Sequence, residues 1–339
     1  MAFKFQTQVA IPSYQWKTGY QNPTMFMGSC FTENIGNKML ELKYPVDINP
    51  FGILYNPVSI AHALRFLIQK KKFSQDDLIK HDGLWHSFYH HGKFSATNAE
   101  DALQNINQRI KKSSLFLRKA DFIFLSFGTA RVYEYKQTGK TVSNCHKIPN
   151  NEFSQFRLTP GEIVQEFKEV LSEIWSFNPD LKVIFTVSPI RHWKDGAIEN
   201  QRSKSTLLLA VDQIIRGFGE TSCNYFPSYE IMMDELRDYR FYNEDMIHLS
   251  SSAINHIWYN FEKELIDEES QELSKKVQKL IAAMNHKPRN LLTQEHLHFL
   301  RESLKKAYQL IEENPYLDLT FETGHFTDII NNIDTKNTQ

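Results

Sequence analysis

Cysteine is scarce in this sequence, net charge is nearly absent, and no long apolar run occurs. The 339 residues hold three cysteines, Cys30, Cys145 and Cys223. An odd number so widely spaced argues against a disulfide framework, and no two stand at zinc-ligand spacing, so no metal is expected. With 39 basic and 40 acidic residues the net charge is -1. The broad basic field that holds nucleic acid is missing, so no nucleic-acid partner is expected. Lys70 to Lys72 and Lys111 to Lys112 read as solvated helix ends. No apolar stretch reaches the roughly 20 residues of a membrane span. The start, Met-Ala-Phe-Lys-Phe-Gln-Thr-Gln, lacks the basic-then-apolar order of a secretory signal. The expectation is a cytoplasmic protein with no membrane partner. A Gly-x-Ser-x-Gly elbow is also lacking, which argues against the ordinary α/β-hydrolase fold, as is a dinucleotide fingerprint. Thr138-Gly139-Lys140-Thr141 matches the end of a phosphate-binding loop, but Glu134 stands where that loop needs glycine, so a hairpin turn is predicted.

What is present is an ordinary globular mixture, 41% hydrophobic and 23% charged, with 25 Phe. Thr24 to Gly28 is a short apolar run meeting a glycine, followed by helical spacing at Phe31, Ile35 and Met39. Strand, tight turn and helix are predicted. Residues 47–54 read as a loop around a short strand, and a helix opens at Pro57, a good first-turn residue. Residues 98–112 suggest another helix. Asp121 to Gly128 and Lys182 to Val187 are apolar runs suited to strands buried on both faces. Residues 132–135 and 141–142 flank a hairpin turn. Thr159 and Glu162 have capping-box spacing before a helix to about Trp175, and a further helix covers about 199–216. This alternation predicts an α/β/α sandwich around a mainly parallel sheet. After residue 250 the pattern turns helical, with helices near 268–284 and 293–313 and a polar, frayed stretch over 331–339. The expected division is a domain over 1–267 and a helical C-terminal extension over 268–339, packed on the domain or mediating self-association.

Two segments carry chemistry. Ser29 sits on the strand-to-helix turn, where the helix N-terminus directs N–H groups at a developing oxyanion. Its hydroxyl needs a base. Asp245 and His248 supply one in a single local turn: histidine takes the proton, and the aspartate fixes its tautomer. Neighbouring Cys30 reads as a buried structural thiol. His86, His90 and His91 lack carboxylates or cysteines at ligand spacing and read as loop histidines.

Met27-Gly28-Ser29-Cys30-Phe31-Thr32 resembles the Gly-Ser-Cys-Phe-Ala signature of the GSCFA-domain proteins, members of the SGNH/GDSL hydrolase superfamily. The segments 49–57, 127–130, 144–149 and 186–192 match in order, so the resemblance covers roughly residues 20 to 262. It implies an SGNH-hydrolase-like three-layer fold with a Ser29, His248, Asp245 triad. It also implies an oxyanion hole from Ser29, Gly52 and the Gly128-Thr129 pair, without any cofactor. The third block normally carries Gly-x-Asn-Asp. Here no Asn follows Gly128, leaving Thr129, Arg131, Asn144 or His192 to replace the missing amide. Thr32 stands where the signature has Ala.

Asn144, His146, Arg191 and His192 follow strands at the edge where such sheets bind ligands, which makes them candidates for contacting substrate. The function implied is a serine esterase acting on a small acyl ester, such as a carbohydrate O-acetyl group. The alternatives are an O-acyltransferase with the same triad, or a catalytically weak carbohydrate-binding protein. An oligomer is compatible with any of these.

Overall fold

The computed structural model describes residues 7–288 and 293–337. The first six residues, where a signal was sought, and the last two of the polar tail lie outside them. The strands are β1 (Thr24–Gly28), β2 (Val46–Ile48), β3 (Ile79–His81), β4 (Leu84–His86), β5 (Phe122–Phe127), β6 (Arg131–Tyr135), β7 (Lys140–Val142), β8 (Phe153–Arg157), β9 (Lys182–Val187) and β10 (Cys223–Tyr225). The helices are α1 (Cys30–Glu41), α2 (Pro57–Ile68), α3 (Ala99–Leu117), α4 (Pro160–Phe177), α5 (Gly196–Phe218), a short α6 (Ser228–Glu230), α7 (Ser251–Leu265), α8 (Glu268–Met284), α9 (Gln294–Glu313) and α10 (Thr320–Asn337).

The central sheet has order β10-β9-β5-β1-β2, every pair parallel. Its central strands β1, β5 and β9 are mostly apolar because both faces are covered. Met25 and Met27 of β1, with Ile123, Leu125 and Phe127 of β5, join a core built with α2, α3, α4 and α5. Phe26, Phe122 and Phe124 point the other way, into a core shared with α1 and α7. Two-residue periodicity thus divides one apolar run between two layers. The result is a three-layer α/β/α sandwich. Strand order reverses between β1 and β5, and the crevice beyond the carboxyl ends at such a switch point is where ligands bind.

The hairpin is present as β6 and β7, and β8 pairs on the other edge of β6 to make a small antiparallel sheet. The capping box at Thr159 and Glu162 opens α4. Helix α3 runs past residue 112 because Ser113, Ser114 and Leu117 continue its buried stripe. The C-terminal stretch differs from expectation: α10 runs through residues 331–337 and is held by buried Phe326, Ile330 and Ile333. Leu273, Val277, Leu297 and Leu300 of the preceding helices belong to the same core as Phe31 and Phe261. Tyr20 N–H donates to Ser270 Oγ at 3.0 Å, and Lys43 pairs with Glu322 at 2.6 Å. The C-terminal helices therefore extend the α1/α7 layer. No helix among the described residues is long and apolar enough to cross a membrane.

Candidate active site

The turn from β1 to α1 lies at the switch point. Gly28 has φ 137°, and a Cβ there would stand 2.2 Å from the Ser126 carbonyl oxygen, so glycine is required. Its N–H donates to Asn49 Oδ1 at 2.9 Å. Ser29 follows as the N-cap of α1, in an extended conformation. That conformation turns its side chain inward between β1 and β5. Ser29 is 1% exposed, and its Oγ lies 2.6 Å from Ser126 Oγ. The hydroxyl expected to act as nucleophile is thus tied down. Cys30, expected as a buried structural thiol, is half-buried and free of any disulfide. Burial pushes its thiol up, and the neighbouring Tyr55 hydroxyl acts the other way.

Asp245 and His248 do form a local unit. Asp245 Oδ1 accepts from the N–H groups of Ile247 at 2.9 Å and His248 at 2.8 Å, while Oδ2 lies 2.5 Å from His248 Nδ1. The turn between them places Met246 at φ 57°, an uncommon conformation for such a side chain. The bond from His248 draws the Asp245 carboxyl down to about 2. Half of the His248 side chain is exposed, and its Nε2 has no hydrogen-bond partner among the described residues. The neighbouring Leu249 packs with Phe31, Asn34 and Ile35 of α1 and with Pro189 and Ile190. The segment that follows the dyad therefore packs against the first turns of α1. No hydrogen bond joins it to Ser29 Oγ, whose partners are Ser126 Oγ and, at 3.4 Å, the N–H of Phe31.

The expected oxyanion donors are engaged elsewhere. Gly52 N–H donates to the Asn49 carbonyl at 2.8 Å, Gly128 N–H and Thr129 N–H both donate to the Tyr55 carbonyl at 2.7 and 2.9 Å, and Ser29 N–H donates to the Ser126 carbonyl at 3.2 Å. The Thr129 hydroxyl is 3.0 Å from Ser203 Oγ and accepts from Arg131 N–H. Gly52 closes a local turn, and the others meet a carbonyl or hydroxyl from a crossing segment, so this hole is closed. The available donor field is the N-terminal end of α1, which carries partial positive charge.

A cleft of about 410 Å³ has Tyr55, Asn56, Thr129, Tyr133, Asn144 and His192 among its walls. The His192 ring meets Tyr55 edge-on at 5.2 Å, and its buried Nε2 has no partner among the described residues. Burial, with Lys204 and His248 nearby, draws His192 down to about 4, so it is neutral at pH 7. Asn144 is on the cleft wall, its Oδ1 holding the His146 N–H at 2.9 Å. His146 itself is turned away. It is buried, stacked on His86 at 4.4 Å, with Nε2 2.8 Å from the Ser87 carbonyl. Arg191 is not a cleft wall; its guanidinium lies 5.3 Å over the Trp193 ring. His86 and His90 are buried and bonded to Ser95 and Ser87, and no group of three or more potential ligands gathers for a metal among the described residues.

Sequence reasoning missed Tyr55 and Lys204. Lys204 is fully buried, and its ammonium donates to the carbonyls of Gly128 and Ser188, both at 2.7 Å. It thereby ties the ends of β5 and β9. Desolvation brings it down to about 7. The signal was visible: Lys204 falls on the buried stripe of α5 with Leu207, Ala210, Val211 and Ile214.

A family model described as the GSCFA family matches residues 23–261, and a second, the C-terminal domain of GSCFA domain proteins, matches 277–332. No curated protein matches the chain. Among solved structures, an acetyl xylan esterase (Est2A) from the rumen bacterium Butyrivibrio proteoclasticus is similar, with a TM-score of 0.30 and 11% identity over 64% of this chain. The chain spans 56% of that structure's length, and a likeness of this degree carries no functional information.

Proposed function

This chain belongs to the GSCFA family across residues 23–261, and on that premise we propose that it hydrolyses a small acyl ester through a covalent acyl-enzyme. The observation that carries this reading is the Asp245–His248 pair, 2.5 Å apart, with Nε2 unpartnered among the described residues and the adjoining Leu249 packed against α1. Histidine held by a carboxylate through Nδ1 has the tautomer that accepts a proton at Nε2. A nucleophile on the β1–α1 turn gives up its proton to His248 and attacks the acyl carbonyl. The oxyanion develops toward the N-terminal end of α1, whose dipole favours it. His248 then protonates the leaving alcohol, and water releases the acyl group. Tyr55 and Tyr133 offer apolar faces in the cleft, and Asn56, Asn144 and Thr129 offer hydrogen-bonding edges. Such a wall suits a polyhydroxylated alcohol, so a carbohydrate-linked O-acetyl group is the proposed substrate class.

The engaged N–H groups of Gly52, Gly128 and Thr129 favour a second reading, a carbohydrate-binding protein on the same scaffold with little turnover. Rapid mixing with p-nitrophenyl acetate separates the two. The hydrolase reading expects a burst of p-nitrophenolate of about one equivalent per chain, followed by slower turnover. Release at the buffer rate alone supports the binding protein.

A further inference from the structure

Resting on the acyl-hydrolase reading, we infer that the nucleophile of this site is Cys30 rather than Ser29. The two are adjacent, but the turn sends them in opposite directions. Ser29 points inward and is 1% exposed, its Oγ satisfied by Ser126 Oγ at 2.6 Å. To attack, it would have to break that bond, leave its capping position and swing out through a packed interface. Cys30 is the first residue of α1 proper and is partly exposed on the side that packs against the α7 layer. That is the side on which Leu249, and with it the His248 segment, lies against α1.

The surroundings of the sulfur are those of a reacting atom. Tyr55, close enough to Cys30 for each to shift the other's protonation, also forms a wall of the 410 Å³ cleft and meets the His192 ring. Tyr55 therefore links the surroundings of Cys30 to that cleft. Burial, helped by Glu33, raises the thiol; the residue's own backbone N–H, Tyr55 and the buried Lys204 pull the other way without overturning it. The sulfur rests protonated, so it needs a base. His248 Nε2 is free to be that base, tightening onto the sulfur when substrate is bound, as catalytic hydrogen bonds commonly do.

The Cys30 S–H proton passes to His248 Nε2 as the sulfur bonds the acyl carbon. The carbon–oxygen bond of the ester breaks, and the alcohol leaves with that proton. Water then attacks the thioester, giving its proton to His248. The carbon–sulfur bond breaks, the acid departs, and the proton returns to sulfur. No oxidant or reductant is required.

The test is acid-quenched p-nitrophenyl acetate turnover by the full chain, followed by peptide mass mapping. The acetyl group is expected on Cys30, appearing faster than on Cys145, the other half-buried free thiol in the cleft wall. Cys30→Ala is expected to lose the adduct and about 1000-fold or more in turnover. Cys30→Ser, close to isosteric, guards against misfolding: it is expected to keep the wild-type melting temperature and KM and to lose at least about 100-fold in kcat. Ser29→Ala is expected to keep the Cys30 adduct while melting lower, as loss of an N-cap requires. An acetyl group on Ser29, with turnover lost in Ser29→Ala and kept in Cys30→Ala, overturns the assignment and leaves ester hydrolysis standing. Neither adduct nor turnover in wild type overturns the hydrolase reading and this assignment together.

Discussion

Ser29 Oγ and Ser126 Oγ lie 2.6 Å apart and tie the carboxyl ends of β1 and β5 together at the point where strand order reverses. Both residues are buried. The pair holds the turn that presents α1, so its role is to set the geometry of the site. Ser126→Ala leaves the Ser29 hydroxyl without its partner and is expected to lower stability by about 1–2 kcal/mol in urea unfolding. Ester hydrolysis is expected to fall by less than about tenfold. A drop beyond about 100-fold at unchanged stability would give the Ser29 hydroxyl a chemical role.

Lys204 is the buried cation between β5 and β9. Lys204→Met keeps most of the volume but strips the Gly128 and Ser188 carbonyls of their donor. Two buried acceptors left unsatisfied cost about 2–5 kcal/mol. Urea midpoints measure this, and an unchanged midpoint would mean that the carbonyls find other donors.

Acid should weaken the fold through its buried histidines. Burial draws His90 down to about 3 and His146 and His192 down to about 4, against an ordinary value of about 6.5. Between these values the unfolded chain binds protons that the folded chain refuses. Their neutral burial is therefore without penalty above about pH 6.5, and stability falls as pH drops toward 4, by up to about 1.4 kcal/mol per pH unit for each histidine. Urea unfolding at pH 7.5, 6 and 5 measures the slope. His146→Asn, suited to the φ of 48° at that position, is expected to make it shallower; an identical slope would remove His146 from the account.

Phe326 of α10 is fully buried in the core that α1 and α7 share with the C-terminal helices. Phe326→Ala is expected to cost about 3–5 kcal/mol and to shift one cooperative transition for the whole chain. A separate early melt confined to part of the helical signal would show that residues after 267 unfold as an independent unit.

The sheet was legible because β1, β5 and β9 are short apolar runs buried on both faces, a pattern that sequence alone displays. Helix α10 was not, since Phe326, Ile330 and Ile333 form a sparse stripe in a polar segment that becomes a helix only by docking. The Asp245–His248 unit was legible because its partners are three residues apart. The orientation of Ser29 was not, because Ser126 decides it from 97 residues away. The same limit hid the loss of the oxyanion donors: Gly128 and Thr129 are engaged by a carbonyl of Tyr55, which lies far back in the chain. Cys30 and Tyr55 come together only after folding, so nothing in their spacing announced the contact.

The account turns on an imidazole, oriented by Asp245, acting as the base at this turn. The direct measurement is kcat/KM for p-nitrophenyl acetate with His248→Ala against the wild type, both checked for the same melting temperature. A fall of about 1000-fold or more is expected, with imidazole added to the buffer restoring part of it. Equal kcat/KM in the two proteins would contradict the account.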